Sequence, residues 1–276
     1  MNRCKTPLRY PGGKSKAVKK LFEHFPDLTA YDEYREPFLG GGSVAIAVTK
    51  KNPDIRVWVN DLYWPLYNFW IQLRDKGDDL SDAIYEQKMV NGDEESAREL
   101  FNLAKQTVND PNMSDFTRAM DFWIINKCSF SGLTESSSFS KMASQGNFTL
   151  QGAQDLKYYS KLIKNWKITN DSYEKLLEPM PNGFVYLDPP YEIGSNLYGK
   201  KGAMHKGFDH DLFAKHCGEH IHDYHMAISY NADDSVRTRY PDWKHIVFPL
   251  TYTMRSNSSN YRKNQPKRDE LLLVNY

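Results

Sequence analysis

Short apolar runs bounded by turn residues recur near both ends of the chain, and they predict buried strands. The clearest is residues 184–187, with the sequence FVYL. It must end at the two prolines that follow Asp188, because proline has no N–H to donate to a neighbouring strand. The other runs lie at residues 34–38, 56–60, 167–171, 226–229, 246–248 and 271–274. Strands in this number, several of them joined by segments of helical period, indicate an α/β fold.

The first two runs and the segment between them have the order of a βαβ unit. Residues 34–38 lead into glycines at 40–42, residues 44–48 open a helix, and residues 56–60 end at Asp61. This order is typical of the start of a parallel, doubly wound sheet. The last two runs of the chain predict an antiparallel pair. We therefore expect a mostly parallel, Rossmann-like sheet with an antiparallel C-terminal edge strand.

The alternation of strand and helix stops in the middle of the chain. Residues 62–108 have a helical period and many acidic side chains, and Ser114 can cap a further helix. Residues 129–152 are rich in Ser, Gly, Asn and Gln without a sustained period, which predicts loops and a hairpin. We therefore divide the chain into a split core and an inserted, mainly helical lobe: residues 1–61 with 165–276, and residues 62–164.

The composition indicates the class of protein and its cellular environment, but not any reaction that it catalyses. The 276 residues are 40% apolar, which is ample for a core, and the net charge of +1 requires any nucleic-acid binding to come from local patches. Three cysteines, far apart and odd in number, argue against disulfides or zinc and favour a reducing cytoplasm. Neither a signal peptide nor a membrane-spanning run is evident, and no histidine pattern indicates a metal. We expect a soluble cytoplasmic protein without a metal.

Candidate chemistry lies where the run at 184–187 ends, in Asp188, Pro189, Pro190 and Tyr191. The chain leaves the sheet there with a carboxylate, a proline carbonyl and an aromatic ring, at the strand end where α/β folds bind ligands. These groups suit the polarisation of a planar exocyclic amine while the ring stacks on the base that carries it. A Pro-Pro turn after a core strand would explain the same residues, so the rest of the chain must decide.

Three other positions indicate a ligand at the same edge of the sheet. Glycines at 40–42 let a ligand approach the backbone, although a tight turn also explains them and their spacing is not GxGxxG. Asp61 follows the next strand, where an acid binds ribose hydroxyls or simply caps a helix. Lys14, at a helix start, suits an anion such as an amino-acid carboxylate, or is a solvated turn lysine.

Taken in order, these segments resemble the Dam-like, D12 class (alpha-order) of site-specific DNA adenine-N6 methyltransferases over nearly the whole chain. Residues 8–14 (LRYPGGK) look like the N-terminal cofactor motif of that family, and residues 36–43 (EPFLGGGS) are similar to its F-x-G-x-G loop. Residues 60–62 (NDL) resemble its ribose-binding segment, and residues 188–191 (DPPY) its catalytic motif. Weaker matches are Asn126, the loop at Asp171 and residues 267–272.

The resemblance implies methyl transfer from S-adenosyl-L-methionine to the N6 amino group of an adenine flipped out of double-stranded DNA. Asp188 and the Pro189 carbonyl, in the motif completed by Pro190, would accept hydrogen bonds from the amine, and Tyr191 would stack on the base. Asp188 would also contact the cofactor. The cofactor-binding residues implied by the resemblance are Tyr10, Lys14, Phe38, Gly40, Gly42, Asp61, Asp171 and Asp188.

The resemblance also implies DNA contacts, from Asn126, Lys141, Arg255, Arg262, Lys263 and Lys267. The last four belong to an acid-free basic stretch suited to phosphates. Short polar side chains at Ser137, Gln145 and Asn147, on the predicted hairpin with Lys141, suit base edges. Family members that read GATC have several basic residues in this hairpin, whereas Lys141 is the only one between residues 133 and 148. The target sequence is therefore not carried over.

Two alternatives stay open. One is an RNA amino-methyltransferase with the same DPPY chemistry, against which the inserted lobe and the N-terminal PGGK stand. The other is an inactive DNA-binding module, although every catalytic residue type is present. The partner we expect is double-stranded DNA, with no membrane and no obligate protein partner, and a cognate restriction endonuclease is compatible with the resemblance.

Overall fold

The computed structural model describes residues 5–132, 135, 137–191, 207–250 and 268–276. Within these residues seven strands form one sheet. The strands are β1 (Glu33–Glu36), β2 (Arg56–Asn60), β3 (Lys167–Thr169), β4 (Gly183–Leu187), β5 (His225–Asn231), β6 (Lys244–Leu250) and β7 (Arg268–Val274). Their order across the sheet is β3-β2-β1-β4-β5-β7-β6.

The sheet is parallel from β3 to β5, and β7 pairs antiparallel with both β5 and β6. The predicted mostly parallel α/β sheet with an antiparallel C-terminal pair is confirmed. One detail differs from the expectation, because the C-terminal strand β7 lies inside the sheet and β6 forms the edge. The apolar residues Leu271, Leu272 and Leu273 are fully buried, whereas Val247 on β6 is 44% exposed. A strand that is apolar on both faces belongs inside the sheet rather than at its rim.

The described residues form ten α-helices, five of which begin at a side chain that caps the helix. They are α1 (Val18–Phe22), α2 (Ser43–Lys51), α3 (Trp64–Asp75), α4 (Gly77–Val90), α5 (Glu94–Thr107), α6 (Asp115–Cys128), α7 (Lys141–Asn147), α8 (Leu150–Leu162), α9 (His210–Glu219) and α10 (Asp234–Arg239). The side chain of Ser114 accepts a hydrogen bond from the backbone N–H of Thr117 at the start of α6, as predicted. Asp93 caps α5 in the same way through Glu95 and Ser96.

The segment predicted to form loops and a hairpin contains two helices instead. Ser140 accepts from the backbone N–H of Ala143 and starts α7, and Thr149 accepts from that of Gly152 and starts α8. The prediction of loops was therefore wrong for the residues in these helices, because Ser140 and Thr149 serve as helix N-caps rather than as turn residues. The predicted hairpin corresponds only to a short antiparallel pairing before α7, in which the backbone N–H of Phe130 donates to Ser138 and that of Ser140 donates to Cys128. An isolated antiparallel bridge joins Ser129 to Phe139.

Helices α3 to α8 lie between β2 and β3 in sequence, and their apolar residues share one core cluster with the sheet. The indole rings of Trp70 on α3 and Trp166, just before β3, pack with centroids 5.9 Å apart. The division of the chain into a split core and an inserted lobe stays a prediction about its organisation.

The sheet reverses its winding at β1. From β1 the chain runs to β2 and β3 on one side, and β4 and β5 lie on the other. In a doubly wound sheet the crevice for a ligand opens at the carboxyl ends of the strands where the winding reverses. The crevice is therefore expected at the carboxyl ends of β1, β2 and β4, which are followed by the glycine loop, Asp61 and Asp188, respectively.

Candidate active site

A cavity of about 200 Å³ lies at the carboxyl ends of β1, β2 and β4. Most residues that the sequence singled out for catalysis or cofactor binding line it, namely Tyr10, Lys14, Phe38, Gly40, Asp61, Asp171, Asp188, Pro189 and Pro190. Of the described residues predicted for these two roles, Gly42 and Tyr191 are not part of this lining. The fold thus brings together residues from five separate stretches of the sequence.

The glycine loop is held between two aromatic rings. Gly40 and Gly42 have φ angles of 49° and 66°, in the left-handed region that other residues seldom adopt. A β-carbon at Gly40 would lie 2.9 Å from Cε1 of Tyr10, and one at Gly42 would lie 2.8 Å from Cη2 of Trp70. Both the backbone conformation and the close packing therefore require glycine at these two positions.

The carboxylate of Asp61 connects this loop to α3. Its Oδ2 accepts a hydrogen bond from the Gly40 backbone N–H at 2.9 Å, and its Oδ1 accepts from that of Tyr63 at 3.0 Å. Burial raises the pKa of Asp61 to about 6, and these two hydrogen bonds oppose the rise. Each carboxylate oxygen keeps a second lone pair, so Asp61 can organise the loop and still accept from a ligand hydroxyl.

Asp171 is held at the cavity by the buried side chain of Asn60. The Asn60 amide donates to the Asp171 carbonyl oxygen at 2.9 Å, and its Oδ1 accepts from the Asp171 backbone N–H at 2.9 Å. The end of β2 therefore fixes the loop after β3. The Asp171 side chain itself is exposed.

Lys14 is the centre of a charged cluster. Its ammonium group lies 2.7 Å from Oδ1 of Asp188 and 3.2 Å from Oε1 of Glu270. Lys14 is 3% exposed and Glu270 is fully buried, whereas the side chain of Asp188 is 21% exposed. Burial raises the pKa of Asp188 to about 6, and the nearby Lys14 ammonium opposes this rise. The cation that we expected to meet a ligand carboxylate is paired here with carboxylates of the protein.

The hydroxyl group of Tyr191 belongs to the same cluster. It accepts a hydrogen bond from the Lys14 ammonium at 2.7 Å and donates one to Oε1 of Glu270 at 2.7 Å. The ring is 8% exposed and stacks on Tyr230, with centroids 5.8 Å apart and planes inclined by 30°. The hydroxyl has partners that a purely stacking role does not need, and stacking on a base stays a prediction.

Two buried glutamates near the site were not recognised from the sequence. Glu36 accepts a hydrogen bond from the Tyr34 hydroxyl at 2.5 Å, and burial raises its pKa to about 8. Glu270 lies beside Lys14, as described above. A local signal could have found only Glu270, which directly precedes the apolar residues 271–274 and is costly to bury without a partner, whereas Glu36 ends the polar strand sequence EYRE.

An aromatic wall completes the cavity. The ring of Phe38 lies 5.6 Å from that of Tyr173 with planes inclined by 28°, and 5.8 Å from that of Phe208 at 73°. All three residues line the cavity, but only Phe38 was expected from the sequence. No local pattern marks the other two, since Tyr173 begins a short 3-10 helix after β3 and Phe208 lies in the loop before α9.

The residues predicted to contact DNA differ in their burial and in the partners that the structure gives them. Asn126 is fully buried, and its amide is hydrogen-bonded to the backbone of Arg9, so in this structure it holds the N-terminal motif and presents no surface to DNA. Lys141 is 59% exposed and pairs with Glu94 at 2.6 Å. The other four lie outside the described residues, namely Arg255, Arg262, Lys263 and Lys267.

Neither a bilayer-spanning helix nor a metal-binding group of His, Cys, Asp and Glu side chains is found in the part of the chain that the structure describes. The strand order, the glycine loop and the acidic residue after β2 define the class of the protein, which has the Rossmann-like fold of methyltransferases.

Comparison with known proteins specifies the family. Residues 10–254 match the model of the D12 class N6 adenine-specific DNA methyltransferases, and the chain belongs to this family. It is 26% identical over 203 residues to the type II methyltransferase M.MjaIII of Methanocaldococcus jannaschii, covering 67% of this chain and 68% of the relative. It is 22% identical over 282 residues to the type II methyltransferase M1.LlaDCHI of Lactococcus lactis subsp. cremoris, covering 97% and 94% of the two chains. The protein is thus a DNA adenine methyltransferase.

Proposed function

We propose that the protein transfers the methyl group of S-adenosyl-L-methionine to the N6 amino group of an adenine that is flipped out of duplex DNA. One observation carries the proposal: Asp188 shares a cavity with the glycine loop and with Asp61, which are contributed by different strands. The amine-polarising group and the proposed cofactor-holding groups therefore face one space.

The donor set of the cavity fits this cofactor. Its described lining has four carboxyl groups and one ammonium group, from Glu36, Asp61, Asp171, Asp188 and Lys14. A net acidic lining disfavours a phosphate-bearing cofactor and suits a cationic one. S-adenosylmethionine, when bound, supplies an electrophilic methyl group on a positively charged sulfur.

We assign the holding of the cofactor to groups that already have a fixed orientation. Asp61 would accept hydrogen bonds from the ribose hydroxyls, since its position is set by the Gly40 and Tyr63 backbone. The aromatic wall of Phe38, Tyr173 and Phe208 offers apolar faces for the adenine of the cofactor. The side chain of Tyr10 packs against the glycine loop, and Lys14 neutralises part of the acidic lining.

Asp188 is proposed to activate the target amine. An ionised carboxylate is a strong acceptor, and a hydrogen bond from the exocyclic N–H concentrates the lone pair on the nitrogen. The Pro189 carbonyl would accept from the second N–H. Because Asp188 must be ionised to act, activity should fall as the pH drops through its pKa of about 6. A fixed acceptor also supplies orientation, which lowers the entropic barrier to transfer.

Duplex DNA is favoured over RNA as the substrate, because the matching family consists of DNA methyltransferases. Both relatives described above are named type II methyltransferases. We extend that class to this chain as part of the proposal, so a cognate restriction endonuclease is the protein partner to look for.

A filter assay with methyl-labelled S-adenosylmethionine tests the proposal. Wild-type protein should label duplex DNA and leave RNA unlabelled, and digestion should recover the label as N6-methyladenine. Asp188→Ala should reduce transfer by at least about 100-fold, because the amine loses its preorganised acceptor. Asp188→Asn should retain at most a trace, since an amide is a weaker acceptor.

The matched control is Asp54→Asn, which changes an exposed aspartate away from the cavity and should leave transfer unchanged. Transfer by Asp188→Ala within a few-fold of wild type would refute the assignment. Base flipping is tested separately, after sequencing of host DNA has located the methylated site. A duplex with 2-aminopurine at the target position should gain fluorescence on binding, since the flipped base is unstacked.

A further inference from the structure

Glu270 is an acidic residue in a strand interior. It lies on β7, opposite Asn231 of β5 and Phe248 of β6, and it is followed by the apolar residues 271–274. Its side chain is fully buried. A buried carboxylate is strongly destabilising unless it is paired and hydrogen-bonded, so its retention here needs compensation from neighbouring groups.

The compensation comes from the active site. Oε1 of Glu270 accepts a hydrogen bond from the Tyr191 hydroxyl at 2.7 Å and lies 3.2 Å from the Lys14 ammonium. Lys14 is also bonded to Asp188 at 2.7 Å. One ammonium group is thus shared between two carboxylates, only one of which faces the cavity.

Sharing the ammonium group changes what Asp188 can do. If Lys14 were paired with Asp188 alone, its whole positive charge would act on that carboxylate, which would become a poorer acceptor for an amine. With Glu270 present, the three groups together carry a net charge of −1 when ionised. Such a site favours the positive charge that develops on a nitrogen as it gains a methyl group.

We propose that Glu270 is a positioning residue of the transfer reaction, which holds Lys14 and the Tyr191 hydroxyl beside Asp188 and shares the ammonium charge, so that this carboxylate is only partly neutralised and stays available to the target amine. This inference rests on the function proposed above for Asp188. Glu270 does not line the cavity itself, and it acts through Lys14 and Tyr191.

The electrostatics of Asp188 provide a test that a merely structural role would not affect. Six groups face this carboxyl from the surrounding elements: Lys14 before α1, Glu36 and Tyr34 on β1, Tyr186 on β4, Tyr191 after β4, and Glu270 on β7. The negative charge of Glu270 raises the pKa of Asp188, and that of Lys14 lowers it. Removing the Glu270 charge should therefore lower the pKa of Asp188 and move the acidic limb of activity to lower pH.

The decisive variant is Glu270→Gln, which keeps the shape and the acceptor for Tyr191 and removes the charge. We expect kcat at pH 8 to fall by about tenfold, because the undivided Lys14 charge weakens Asp188 as an acceptor, with KM for DNA and Kd for S-adenosylmethionine within about threefold of wild type. The acidic limb of the pH profile of kcat/KM should shift to lower pH by about one pH unit. The matched control is Asp269→Asn, the exposed neighbour on the same strand, which should change neither quantity.

A second variant and a second readout keep the test decisive. If Glu270→Gln does not fold, Glu270→Asp is used instead. This variant keeps the negative charge but moves it back by one methylene group. It should lower kcat while the acidic limb of the kcat/KM profile stays near its wild-type pH. Carbon-13 NMR of aspartate-labelled protein, with Asp188 assigned through Asp188→Asn, reports the titration without any methyl transfer. The Glu270 inference can therefore be tested even if the proposed function fails. A folded Glu270→Gln with unchanged kcat, or with a uniform loss and an unmoved Asp188 titration, would overturn it.

Discussion

Replacing Asn126 by Ala should weaken cofactor binding rather than DNA binding. The side chain is fully buried on α6, and its two polar atoms both bond to the backbone of Arg9. Nδ2 donates to the Arg9 carbonyl oxygen at 2.6 Å, and Oδ1 accepts from the Arg9 N–H at 2.9 Å. The next residue, Tyr10, supports the glycine loop and lines the cavity. Asn126 therefore determines where the N-terminal motif lies.

The magnitude follows from the two hydrogen bonds. A part-buried backbone group that loses its partner costs about 1–3 kcal/mol, so the loss of two such bonds in Asn126→Ala should destabilise the attachment of this segment by about 2–6 kcal/mol. We assume that the cofactor binds only when the N-terminal segment is attached. Once the detached form predominates, each loss of about 2 kcal/mol in the free energy of attachment raises the Kd for the cofactor roughly 30-fold. Asn126→Asp should be at least as harmful, because it replaces the donor to the Arg9 carbonyl with a second acceptor.

Calorimetric titration with S-adenosylmethionine measures this effect, and a gel-shift assay in the absence of cofactor measures the affinity for duplex DNA. Asn91→Ala serves as the control, since that amide bonds to Gln87 within its own helix end and lies away from the cavity. If Asn126→Ala bound the cofactor normally and lost DNA affinity, the reasoning would be refuted and Asn126 would be a DNA contact.

Two further predictions concern stability. Because the pKa of Glu36 is raised to about 8 from 4.5, the folded state binds a proton that the unfolded state has lost, and stability should decrease as the pH rises through this window. Glu36→Gln, which still accepts from Tyr34, should flatten the curve of Tm against pH between 6 and 8, and an unchanged slope would show that Glu36 is ionised in the folded protein. Gly42→Ala should destabilise the protein by about 2–4 kcal/mol, from the left-handed φ and the contact with Trp70, as measured by urea unfolding. Gly92→Ala is the control, because a β-carbon there would meet nothing within 4 Å, and an equal loss in both variants would contradict the packing argument.

The sequence by itself determined the sheet and the location of its chemistry. The run at 56–60 became β2 with the same bounds, and the run at 184–187 became all but the first residue of β4. These signals are local: an apolar run predicts burial, proline ends a strand, and glycine at 40–42 permits a backbone that other residues avoid. Parallel strands then align their carboxyl ends, so the groups that follow them meet at one edge of the sheet.

The tertiary structure alone decided which polar groups are partners. Lys14 and Glu270 lie near opposite ends of the sequence, and Asn126 meets Arg9 only because α6 packs against the N-terminal motif. No local pattern distinguishes a solvated lysine from one shared by two carboxylates, or a DNA-contacting amide from one that holds a backbone. Ser140 and Thr149 likewise start helices rather than turns. In each case the free energy of a polar group depends on its burial and its partners, and both are set by segments distant in sequence.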